Sequence, residues 1–112
     1  MAQVIQTVDQ VLSNAAQIII QSTGSGSCQI VRATVANYDT VSHNVTFWRV
    51  PPGASVSNGT LMVPNCSVLA GQTVSPPING QALVGGASLQ ALVDTGNAVV
   101  NLNVTYGIIA VS

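Results

Sequence analysis

The chain contains no lysine and no glutamate, and its 112 residues include only two arginines, three aspartates and one histidine. Charged residues make up 4% of the total, against about a quarter in an ordinary soluble domain. With a formal net charge of −1, it cannot neutralise the phosphates that supply most nucleic-acid affinity, so no nucleic-acid partner is expected. Aromatic residues are equally scarce at 4%, which leaves little from which to build a sugar-stacking groove. Apolar runs such as Ile18-Ile19-Ile20 fall far short of the ~20 residues of a membrane helix. No basic stretch followed by an apolar one opens the chain, so neither a membrane partner nor export is expected and cytoplasmic synthesis is the default.

Neutral polarity takes the place of charge. Ser, Thr, Asn and Gln form about a third of the chain and hydrophobic residues 47%, a mixture unlike that of a disordered segment. The length suits one domain, which buries roughly two-thirds of its unfolded surface and needs no covalent staple. Cys28 and Cys66 therefore read as small hydrophobes, with a disulfide left open if their strands lie side by side. A net charge near zero is a solubility liability for a free monomer, but it removes repulsion between identical copies. A homo-oligomer or a lattice-bound subunit is expected.

Alternation with a period of two marks strands with one buried face. In Val100-Asn101-Leu102-Asn103-Val104-Thr105-Tyr106 every even position is apolar, so these four face the core. Gln29 to Val35 places Val31, Ala33 and Val35 inward, and His43 to Val50 places Val45 and Phe47 inward before Pro51-Pro52-Gly53 stops it. Shorter candidates are Gln3 to Val8, Gln17 to Ser22, Leu61 to Val63, Ser67 to Val74, Gln81 to Val84 and Leu89 to Asp94. Turn residues fall between them, at Thr23-Gly24-Ser25-Gly26, Asn58-Gly59, Ala70-Gly71, Asn79-Gly80, Gly85-Gly86 and Gly96-Asn97. Asp9 to Ala16 competes as a short helix capped by Asp9, but a single turn without a partner face is marginal. The pattern predicts an all-β, single-domain antiparallel β-sandwich or jelly roll of about eight strands. Residues 1–15 form an N-terminal arm or edge strand, and 16–112 the β-sandwich domain.

Chemistry has few residues to draw on. Asp39, Ser42 and His43 offer a carboxylate, a hydroxyl and an imidazole within five positions. Their segment reads as a turn, however, and no Gly-x-Ser-x-Gly nucleophile elbow exists. The spacing of one His, two Cys and three Asp matches no metal site, and Gly24-Ser25-Gly26 lacks the lysine of a phosphate-binding loop. No catalytic residue, metal or cofactor is expected. Trp48 appears on the face opposite Val45 and Phe47, and with Arg49 it has the composition of an interface hot spot. A covered Trp48 is the competing reading.

The runs Ile30 to Asn37, Val45 to Gly53, Ser67 to Thr73 and Ser88 to Thr95, in that order, resemble small virion structural proteins of tailed bacteriophages. The resemblance covers residues 28 to 105. It implies a compact, non-enzymatic β-sandwich present in many copies on the particle, made in the host cytoplasm and placed on the capsid exterior. The implied function is capsid decoration or cement, with the major capsid protein and the chain itself as partners. A tail, baseplate or head-to-tail adaptor keeps the virion and changes the location; a glycan-binding adhesion module using Trp48 is the rival from another class. The Trp48-Arg49 pair departs from the aliphatic residues the resemblance leads one to expect. Interface residues are expected at Val4 and Ile5, through an added strand at residues 1–8, and at Trp48 and Arg49.

Overall fold

The computed structural model describes residues 3–22 and 26–109. Three of the four residues of the turn expected at Thr23-Gly24-Ser25-Gly26, and the first two residues of the expected arm, lie outside the described residues. Among the described residues nine strands follow one another: β1 (Gln3–Val11), β2 (Gln17–Gln21), β3 (Ser27–Asn37), β4 (His43–Val50), β5 (Leu61–Val68), β6 (Thr73–Val74), β7 (Ala82–Val84), β8 (Ser88–Val93) and β9 (Val100–Ile109). Among the described residues the only helical turn is a 3₁₀ turn at Asn58–Thr60. Asp9 to Val11, the start of the competing helix, belongs to β1.

The strands form two antiparallel sheets. One has the order β1-β9-β3-β6, with β7 also paired to β3; the other has the order β2-β8-β4-β5. Counting β6 and β7 as one interrupted strand along β3, this is jelly-roll connectivity with four strands in each sheet. The alternating strands left sandwich and jelly roll open, and strand order decides for the jelly roll.

Alternation predicted the inward face of β9 well: Val100, Leu102 and Val104 are fully buried and Tyr106 partly so. In β3 the same reasoning misses one position. The ladder with β9 shifts register between Ile30 and Arg32, so one extra residue lies opposite the partner strand. Ile30 is buried and Val31 is half exposed, whereas Ala33 and Val35 face inward as expected. The bulge resets the alternation, and two adjacent aliphatics give no hint of which one turns in.

β5 joins two segments that read as separate strands, Leu61 to Val63 and the start of Ser67 to Val74, straight through Pro64. Proline is tolerated because β5 is an edge strand whose outer side needs no donor. The remainder of Ser67 to Val74 breaks at Gly71, whose φ of 71° suits glycine, and resumes as β6. Phe47, Ile30, Leu83, Leu89 and Leu102 fill the space between the sheets. Each large side chain buried in this way contributes roughly 1.5–3 kcal/mol.

Candidate functional site

At one end of the sandwich the loops at residues 38–42, 69–72 and 94–99 meet. Asn37, the last residue of β3, is buried and uses its side-chain amide to donate to the Val41 carbonyl at 2.9 Å and the Val68 carbonyl at 3.0 Å. Its side-chain oxygen accepts from the Asp39 N–H at 2.9 Å. His43, the first residue of β4, is buried between two carboxylates: its Nε2 lies 2.8 Å from Asp39 Oδ2 and its Nδ1 2.7 Å from Asp94 Oδ1. The Thr40 N–H donates to Asp39 at 2.7 Å, and the Asn44 N–H donates to Asp94 at 3.1 Å.

Both ring nitrogens donate only when the imidazole is protonated, so the geometry selects the imidazolium. The hydrogen bond to Asp39 is the main cause that raises the His43 pKa above its ordinary 6.5; burial opposes it and Asp94 reinforces it. The bond to His43 likewise lowers the Asp39 pKa, with help from the Thr40 N–H. A histidine protonated at both nitrogens and flanked by acids has no lone pair with which to act as a base. Ser42 is exposed and has no hydrogen bond to His43. The carboxylates lie against opposite edges of the ring and so do not converge on a common point. Among the described residues no cluster of three or more His, Cys or acidic side chains could hold a metal. The turn reading of residues 38–44 missed the cluster because Asp94 is 51 residues away and carries no local signal.

The expected interface residues fall on separate surfaces. Val4 and Ile5 lie on β1, on opposite faces of the strand, and are 52% and 57% exposed. Trp48 is half-buried on the outer face of the second sheet. There it lies opposite Gln90 on one side and Leu61 on the other, and Gln90 lies opposite Ile18. Residues paired across a ladder share a face, so Ile18, Gln90, Trp48 and Leu61 make one row across this sheet. Arg49 points the other way. It is paired with the buried Leu89 but sits near the end of its strand, where it lines two shallow clefts, one with Gln81, which precedes β7, and one with Ala82 and Val84 of β7. The two residues expected to act as a pair are divided by the pleat, as neighbours in an extended strand must be.

Cys28 and Cys66 are both free thiols, in β3 of one sheet and β5 of the other. Burial raises the pKa of each and makes it a weak nucleophile.

No family model and no curated protein matches the chain. Among solved structures, it is similar to a chain from the endospore appendages of Bacillus, which form disulfide-linked pili. That likeness has 16% identity and a TM-score of 0.57, and covers 99% of this chain and 88% of the other. A chain from the capsid of Helicobacter pylori bacteriophage KHP30 superposes with 11% identity and a TM-score of 0.47 over 100% of this chain and 94% of that one. At such identities the first likeness is one of fold.

Proposed function

We propose that the chain is a non-enzymatic structural subunit of a virion, most specifically a decoration or cement protein that binds the major capsid protein lattice from outside. The observation that carries this reading is the surface: apolar side chains on an edge strand and on one outer sheet face, set among neutral amides and hydroxyls and almost without charge. Such a surface packs against copies of itself or a neighbour without electrostatic cost. The titratable groups support the same reading, because the cluster of Asp39, His43 and Asp94 joins two loops and offers no free base or nucleophile. Jelly rolls recur in capsid proteins, which is support by analogy of fold. Val4, Ile5, Trp48 and Arg49 are the proposed contact residues.

Quantitative mass spectrometry of purified particles tests the proposal. The expected result is a simple ratio to the most abundant coat protein. A ratio of a few per cent would move the chain to the tail or neck, and absence from particles would end the virion reading. The fold likeness to the pilus subunit favours one second reading, a repeating subunit of a surface appendage, for which the chain would be recovered in sheared filaments instead.

A further inference from the structure

The four sheet edges are not alike. β6 and β7 are two and three residues long, β2 has five residues and a register shift, and β5 carries Pro64 and two shifts against β4. Short strands, bulges and proline are the devices that keep an edge from pairing with another chain. β1 has none of them. It runs nine residues, pairs with β9 from Gln3↔Ile109 to Val11↔Asn101 without a shift, and contains neither proline nor lysine.

Its free side can be read from the ladder. The Leu12 N–H donates to the Val100 carbonyl at 2.9 Å, continuing the β1–β9 register. In an antiparallel ladder the bonding direction alternates residue by residue, so the backbone groups of Ile5, Thr7, Asp9 and Val11 point to the open edge. The Val11 carbonyl accepts a bond there from the half-buried Gln10 side chain of its own strand.

The strand also reads nearly the same in both directions about Val8: Ile5-Gln6-Thr7-Val8-Asp9-Gln10-Val11. We propose that β1 is a homodimer interface, pairing antiparallel with β1 of a second copy about a two-fold axis through Val8. A two-fold interface must be self-complementary, and this register meets that condition at every level. Ile5 meets Val11 of the second copy, Gln6 meets Gln10, Thr7 meets Asp9 as hydroxyl donor to carboxylate, and Val8 meets Val8. The outward-pointing backbone groups of Ile5, Thr7, Asp9 and Val11 then bond to one another. The first sheets of two subunits become one continuous sheet, with no like charges opposed. This dimer does not depend on the virion reading and can be observed in the free protein.

Sedimentation velocity of the full chain is expected to show about twice the 11.4 kDa chain mass. Ile5→Lys with Val11→Lys, both on exposed positions, opposes ammonium groups across the axis and is expected to halve that mass. Ile5→Lys with Val11→Asp opposes unlike charges in the same register and is expected to restore it. Hydrogen exchange provides a check free of substitutions: the Ile5, Thr7 and Asp9 amides exchange slowly in the dimer and fast on an open edge. A monomer or an odd-numbered oligomer in the parent protein, a dimer that survives the double-lysine change, failure of the lysine–aspartate variant to restore it, or fast exchange at those amides would overturn the proposal.

Discussion

The two ends of the sandwich are closed by different chemistry. At one end, the Asn37 side chain joins the loops at 38–42 and 69–72 through neutral hydrogen bonds, and His43 joins 38–42 to 94–99 through charged bonds to Asp39 and Asp94. At the other, the buried Ser22 hydroxyl donates to the Ala87 carbonyl at 2.9 Å and accepts from the Gly86 N–H at 3.0 Å, with no charged group in the contact. Gly86 itself has a φ of 95° and faces Pro52, where a Cβ would touch the proline ring at 3.4 Å. The first end uses three of the chain's six Asp, Arg and His side chains to fix loops. The second relies on neutral bonds and on a turn only glycine takes easily, and leaves Arg49 unpaired among the described residues.

The largest expected break in this contrast is Asn37→Ala. It removes the partner of two carbonyls and one N–H at a buried position, and is expected to cost about 2–4 kcal/mol in chemical denaturation. Ser22→Ala, the matching change at the neutral end, is expected to cost about 1–2 kcal/mol, because the Ser22 backbone N–H still holds the Ala87 carbonyl at 3.0 Å.

The smallest effect is the dependence on pH, and it belongs to one end only. A raised His43 pKa gives stability that is fully present below 6.5 and is lost as pH rises through the folded-state value. The lowered Asp39 pKa gives stability present above 3.8 and lost as pH falls through its folded-state value. Thermal unfolding is therefore expected to show greatest stability between these limits, with a decline on the alkaline side that His43→Gln abolishes and Ser22→Ala leaves intact. Solvent screening of the partly exposed Asp94 keeps the decline modest.

What could be read ahead of the fold follows from how far each signal extends. The Val100 to Tyr106 alternation identified the inward side of β9 because an unbroken strand shows its neighbours' demands on every second residue. Val31 escaped because a bulge is set by the partner strand, and Trp48 and Arg49 were taken together because adjacency in sequence is not adjacency on a pleated sheet. The histidine cluster was half legible: Asp39 lies four residues before His43, while Asp94 reaches it only through the loop between β8 and β9.

The sequence by itself determined an all-β domain poor in ionisable groups, since composition and the period-two pattern of an unbroken strand are carried by the local sequence. The tertiary structure alone decided that the strands interleave as a jelly roll and that one imidazole meets two carboxylates. It likewise decided that, of four edges, β1 stays long and open. Each of these depends on which distant strands become neighbours, and that choice is made by the pairing and burial energy of the whole chain.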